Sequence, residues 1–295
     1  MKFVYLALIS VLGYSSYAQQ PVALKTNADN NTLLWEVSGN GLAAPSYLFG
    51  TFHMLCKDEI KFSDALKQAV NNSAEVYMEL DMDDPGVLLG GLSMMSMKGG
   101  KKLKDILTED EYKRVEIFFK DSLKSSLNMF QGMKPLLLTS LVYPKLMPCA
   151  AVTSVEEQLV KLAKQNKKEI RGLETMAFQA SVFDSIPYKE QADELLKTIG
   201  SLSKSKRLFD SMVKAYKSQN MSLLENMLTN DDFGMEGSQD VLVNKRNENW
   251  VVQLKDIMKK EPVFVATGAG HLPGKDGLIA LLLQQGYTVR PVENK

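Results

Sequence analysis

Two short phrases constrain this chain more than anything else in it. Tyr47-Leu-Phe-Gly50-Thr51-Phe52-His53 and, far downstream, Val263-Phe-Val-Ala-Thr-Gly268-Ala269-Gly270-His271 each run from apolar residues through glycine to a histidine. These are the only two histidines in 295 residues, and both stand in a Gly-x-x-His just past a predicted strand. A sheet that delivers two imidazoles at strand ends is an α/β sheet, because the crevice outside its carboxyl edge is open to ligand. Glycine three residues before each histidine calls for either unusual φ/ψ or a close approach that a Cβ would block.

The start of the chain is set apart from that sheet. Lys2, the apolar run Phe3 to Leu12 and the small-x-small triplet Ser16-Tyr17-Ala18 read as a secretory signal peptide cleaved after Ala18. The apolar run is too short for a membrane span, and no later stretch reaches about 18 uninterrupted apolar residues. Residues 19–295 are therefore expected to form one secreted or periplasmic domain with no membrane span. The formal net charge is zero, and losing Lys2 with the leader leaves one net negative charge. That balance argues against nucleic acid or an anionic membrane as main partner. Cys56 and Cys149 are the only cysteines. Export favours a disulfide between them over two separate thiols, and a bridge would brace the loop after His53 against a distant helical segment.

In chain order, Thr32 to Val37 and Ser46 to Phe49 read as two strands joined through the Gly39 to Pro45 turn, an antiparallel hairpin. Ser63 caps a helix carrying Ala65, Leu66, Ala69 and Val70. Glu75 to Asp81 is the next strand, its alternation putting Glu75, Tyr77, Glu79 and Asp81 on one face. Glu79 thus falls near a strand's C-terminal end. Pro85 to Lys102, rich in glycine and methionine, reads as a mobile flap or short helix near the site; flexible packing explains Met94, Met95 and Met97 better than soft-metal binding. Residues 103–240 form a mostly helical insertion with capping boxes at Thr108–Glu111 and Ser154–Glu157. A short strand, Lys168 to Leu173, precedes a helix opened by Glu174-Thr175 and carrying Gln179. The final passage is a helix from Asp240, strand Val263 to Ala266, the His271 loop, a helix and strand Tyr287 to Val292, with the length of a right-handed crossover.

Two imidazoles and a carboxylate make a three-ligand set for a catalytic divalent metal, with a position left for water. Glu79 is the carboxylate of choice because it shares the histidines' strand-end location; Asp81 is its close competitor. Such a metal acidifies water and polarises a carbonyl, which makes hydrolysis the natural chemistry. The chain lacks HExxH and Gly-x-Ser-x-Gly, and Gly268-x-Gly270 lacks the third glycine of a dinucleotide loop. Glu174 is a supporting partner or a helix cap. Arg246 and Asn247 either hold a substrate carboxylate or orient a ligand, or form a solvated helix face.

Four stretches together resemble the TraB/GumN family, related to the Tiki proteins. They are the His53 phrase, Val76-Tyr-Met-Glu79-Leu-Asp81, Arg171-Gly-Leu-Glu174-Thr175 with Gln179, and Arg246-Asn247-x-x-Trp250 before the His271 phrase. The resemblance spans Leu34 to Val292. It implies a mixed central β-sheet with a helical insertion and, on the Tiki branch, a metal-dependent peptidase whose metal-site residues correspond to His53, Glu79 and His271. The metal implied is Mn, Co or Zn, and the partner is a peptide or small-molecule substrate. More distant relatives include haem-binding proteins, so the competing class is a non-catalytic protein that uses the same histidines for haem, metal or a small ligand. One departure matters: many relatives have Gly-x-Asp before the middle helix, and this chain has Ser154-Val155-Glu156.

Overall fold

The computed structural model describes residues 31–228 and 237–295. The expected signal peptide lies outside the described residues. Eight strands are present among them: β1 (Leu34–Ser38), β2 (Ser46–Thr51), β3 (Leu55–Cys56), β4 (Glu75–Met78), β5 (Val152–Thr153), β6 (Glu169–Gly172), β7 (Val263–Gly268) and β8 (Thr288–Pro291). Six of them form one sheet in the order β6-β4-β7-β2-β1-β8. The pairs β6–β4, β4–β7 and β7–β2 are parallel, while β1 runs antiparallel to both β2 and β8. The architecture is the mixed α/β sheet expected from the sequence, with the expected β1–β2 hairpin at its start.

Burial explains the order. From Val263 to Thr267 every residue of β7 is buried, and β2 is buried at Leu48, Phe49, Gly50 and Thr51. Strands covered on both faces carry continuous apolar runs, so these two take the centre of the sheet. β4 alternates half-buried Glu75 and Tyr77 with buried Val76 and Met78. The strand stops at Met78, earlier than the sequence pattern suggested, and Glu79 begins the loop beyond it. Helices Asp64–Asn72, Val155–Gln165 and Lys245–Lys260 bury Leu66, Leu159, Trp250 and Leu254 in the same core.

Local capping sets where these helices begin. Ser63 accepts from the Leu66 N–H, and Thr108 and Glu111 form a complete reciprocal box. The second expected box is only half made. Ser154 accepts from the Glu157 N–H, but the Glu157 carboxylate takes the Thr153 hydroxyl and Lys161 instead.

The helical stretch carries a second apolar cluster of its own, with Leu103, Val115, Phe119, Leu138, Ala192 and Leu195 at its heart. Beside the His53 loop, the two-residue strands β3 and β5 pair antiparallel, an element the sequence did not announce. Cys56 and Cys149 are bridged there, at 2.06 Å between sulfurs. A link across 93 residues stabilises by roughly 2–4 kcal/mol through the unfolded chain.

Gly50 resolves the question its motif posed. A Cβ there would lie 3.0 Å from both Ala269 Cα and Leu272 Cδ1, so the glycine serves close approach rather than a left-handed backbone. The neighbour it approaches is the other histidine phrase. Gly172, at the end of β6, is tighter still, with Asp81 N at 2.7 Å and Glu174 O at 2.8 Å from a built Cβ.

Candidate active site

Because β6, β4, β7 and β2 are parallel neighbours, their carboxyl ends open on one edge of the sheet. Glu174, Glu79, His271 and His53 follow those strands in that order. Residues scattered through the sequence thus meet along a single line, where a parallel sheet leaves its crevice.

Glu79 is the hub. Its Oε1 accepts the Gly268 N–H at 2.9 Å and lies 3.8 Å from His271 Nε2. Its Oε2 accepts from Arg246 Nη2 at 2.6 Å and from Gln179 Nε2 at 3.4 Å. Burial pushes the Glu79 carboxyl up, but the charges of His271, Arg246 and His53 and the Gly268 N–H bring it down to about 2. With His271 uncharged at neutral pH, the charges of Arg246 and His53 remain, with the Gly268 amide adding to them.

Arg246 sits near the start of helix Lys245–Lys260, directly after a π-helical turn at Asp240–Asn244. Such wide turns recur at functional sites. The guanidinium is 6% exposed. It holds Glu174 through Nε and Nη2 at 2.9 and 2.8 Å, reaches the Leu242 carbonyl at 3.0 Å and stacks 4.7 Å from the Trp250 ring. Glu174 is therefore an ionic partner of Arg246, not merely a helix cap, and the solvated-face reading of Arg246 and Asn247 fails because both are buried.

His271 is likewise buried, its ring 4.5 Å from Trp250. Its Nδ1 lies 2.7 Å from Asn247 Oδ1, and its Nε2 lies 3.3 Å from Arg246 Nη1. Burial, together with the positive charges of Arg246 and His53, overrides the pull of Glu79 and lowers its pKa to about 4. At neutral pH it is an uncharged imidazole.

His53 behaves oppositely. Its side chain is 79% exposed, and Nδ1 lies 2.8 Å from Glu156 Oε1. The charge of Glu156 beside it lifts the imidazole to about 9. Water around so open a ring screens part of that pull. Glu156 itself is pushed up by burial and pulled down further by His53, ending below the usual carboxylate range.

Beside these groups lies a cavity of about 140 Å³, lined by Thr51, His53, Glu79, Ser154, Glu156 and Gln179 with Met78, Leu80, Met82 and Ala266. Several buried polar atoms at this edge lack a well-formed hydrogen bond: Thr51 Oγ1, Thr267 Oγ1 and both Glu156 oxygens, the His53 contact being close but not aligned as one. A wider depression of about 610 Å³, lined by Glu116, Lys120 and Lys124 among others, holds neither histidine.

The structure therefore brings Glu79, His271, Arg246, Glu174 and Asn247 into one bonded network. It sets His53 against Glu156 on the other side of the cavity. Asp81 stands apart from both, its carboxyl raised first by burial and then by sharing with Asp83. Sequence reasoning missed the hydroxyls of Thr51 and Thr267 and the pairing of His53 with Glu156. The signal was there in part: a threonine interrupts each apolar strand beside the glycine that starts its Gly-x-x-His.

The profile of the TraB/PrgY/gumN family matches residues 33–291. The chain is 23% identical to the Metalloprotease TIKI1 of Danio rerio over 92% of its own length and 65% of that protein. Against the Metalloprotease TIKI1 of Homo sapiens it is 23% identical over 88% of its length and 61% of the relative. A shorter match to the Metalloprotease TIKI2 of Xenopus tropicalis is 33% identical over 31% of this chain and 17% of the relative. The chain thus spans less than two thirds of these relatives' length. No solved structure matches it.

Proposed function

The chain belongs to the TraB/PrgY/gumN family, and from that premise we propose that it is an exported, metal-dependent hydrolase of the peptidase type, with His53, Glu79 and His271 at the metal. Relatives named metalloproteases support the class. No helix among the described residues is long and apolar enough to cross a membrane, and the Cys56–Cys149 bridge suits an oxidising compartment.

The observation that carries the reading is the 3.8 Å between Glu79 Oε1 and His271 Nε2. Two donors each about 2 Å from one tetrahedral ion stand about 3.3 Å apart, so this pair is about half an ångström wider than sharing one ion requires. Among the described residues no three His, Cys, Asp or Glu side chains yet gather around one point. The donor types nonetheless fit: an uncharged imidazole, an ionised carboxylate, and across the cavity a second imidazole beside a carboxylate with unpaired oxygens. His53 becomes a donor when its shared proton leaves, since proton and metal compete for one lone pair. A divalent ion bound there supplies Lewis acidity, which acidifies water and polarises a peptide carbonyl. The chain's own residues do the rest. Arg246, braced by Glu174, holds Glu79 ionised and oriented; Glu156 holds His53; Met78, Leu80 and Met82 give the cavity an apolar side.

A non-catalytic binder of haem, metal or a small ligand is the second reading. What favours it is Arg246, whose guanidinium already answers both Glu79 and His271 Nε2. A peptide-library digest with the purified protein, with chelator and then with added Mn, Co or Zn, separates the two. The hydrolase gives cleavage that chelator abolishes and metal restores. Stoichiometric uptake without product makes it a binder.

A further inference from the structure

His271 can present only one of its two nitrogens as a base, and the groups around it decide which. Asn247 Nδ2 donates to the His271 carbonyl at 3.2 Å and to the Asp276 carbonyl at 2.8 Å. Carbonyl oxygens only accept, so the amide cannot turn over without facing oxygen to oxygen twice. Its Oδ1 is thereby committed to His271 Nδ1, 2.7 Å away. An amide oxygen only accepts as well, so Nδ1 must carry the hydrogen. The far side of the ring gives the same answer independently. Arg246 Nη1, 3.3 Å from Nε2, belongs to a guanidinium that can donate but never accept. Glu174 and the Leu242 carbonyl hold it beside the ring.

We infer that Asn247 is a positioning residue that locks His271 in the Nδ1–H form and leaves its Nε2 lone pair facing Arg246 Nη1, with Glu79 Oε1 3.8 Å away. One amide grips the histidine at both its ring and its own carbonyl, so ring orientation and tautomer are set together. His53 has no such clamp; its ring is open to water and its Nδ1 faces the buried Glu156 carboxylate. That the lone pair serves a metal or ligand rests on the proposed function. The tautomer does not.

The test is the imidazole nitrogen spectrum of the uniformly labelled, chelator-treated protein, in which only two rings contribute. Wild type is expected to show His271 with a protonated Nδ1 and a bare Nε2 as its single neutral form. Asn247→Ala removes the acceptor facing Nδ1, leaves Arg246 alone to oppose Nε2–H, and should let a detectable share of the Nε2–H form, the one favoured in water, appear. Asn247→Asp keeps an oxygen facing Nδ1 and should keep the Nδ1–H form, at a cost in stability because its other oxygen meets the His271 and Asp276 carbonyls. The inference is overturned if wild-type His271 carries its hydrogen on Nε2, or if Asn247→Ala leaves the tautomer unchanged. Should Asn247→Ala fail to fold, the wild-type and Asn247→Asp spectra still decide. A protein that shows the locked tautomer yet binds no metal would defeat the proposed function and leave this inference standing.

Discussion

The two Gly-x-x-His phrases have nearly the same local sequence and opposite chemistry. His271 leaves the central strand β7, with β4 and β2 on either side, under the helix that carries Trp250 and Arg246, so it is buried and uncharged. His53 leaves β2, the strand that also forms the antiparallel hairpin with β1. It is open to water, and its partner is an acid. The difference teaches that a motif fixes where an imidazole is delivered, while its neighbours across the sheet fix its charge. A buried imidazole under cations stays neutral; an exposed one beside a carboxylate holds its proton. Pairs of titratable groups pushed apart in this way mark acid and base roles.

The largest expected break in that contrast is Arg246→Ala. It strips the cation from two buried carboxylates, Glu79 and Glu174, and removing one partner of a buried ion pair costs about 3–5 kcal/mol. Denaturant titration of the chelated protein should show the midpoint fall accordingly. A loss under about 1 kcal/mol would mean that the network contributes little to holding the site.

Acid comes next. The folded pKa of His271 is lowered from 6.5 to about 4, so the unfolded chain binds the extra proton. Its contribution is fully present above pH 6.5, shrinks as pH falls, and is gone by about pH 4, a loss of about 3 kcal/mol. Chelated melts from pH 7.5 to 4 should show this slope, and His271→Gln should flatten it. An unchanged slope would place the acid sensitivity elsewhere.

Gly50→Ala tests how the two phrases are packed together. Its methyl group would press on Ala269 and Leu272, and overpacking of this kind costs about 1–3 kcal/mol. A neutral result in a thermal melt would show that the contact has slack.

His53 should give the smallest effect and the opposite sign. Its pKa is raised from 6.5 to about 9, so its stabilisation is complete below pH 6.5 and disappears as pH rises through 9. Because the ring is largely exposed, the expected size is about 1 kcal/mol or less. His53→Gln should remove a shallow alkaline slope and leave the acid limb alone.

Most of the fold was legible because β7 and β2 are apolar over several consecutive residues and the helices announce their caps at Ser63 and Thr108. The edge of the sheet was legible because His53, Glu79, Glu174 and His271 each stand one to three positions past a strand, whereas Arg246 and Asn247 come from a helix. What stayed hidden depends on contacts between distant segments. Nothing in Ser154-Val155-Glu156 says that its carboxylate meets His53; that follows from β3 pairing with β5, a two-residue ladder with no periodic signal. Glu157 could complete a capping box by spacing, yet Thr153 and Lys161 compete for the same oxygens and win. Likewise, Asn247 looks like any polar helix residue until the carbonyls of His271 and Asp276 are placed beside it.

The central claim is that these two unlike histidines serve one divalent ion together with Glu79. Calorimetric titration of Zn or Mn into chelator-stripped protein tests it most directly, run on wild type, His53→Ala and His271→Ala, with chelated melts to confirm that each variant is folded. The account predicts one ion per chain in wild type and loss of that binding in either variant, with the chelated melt of His271→Ala lowered, because the change empties a buried site beside Trp250, but still cooperative. Undiminished binding in His271→Ala, or a wild type that takes up no ion, would contradict it.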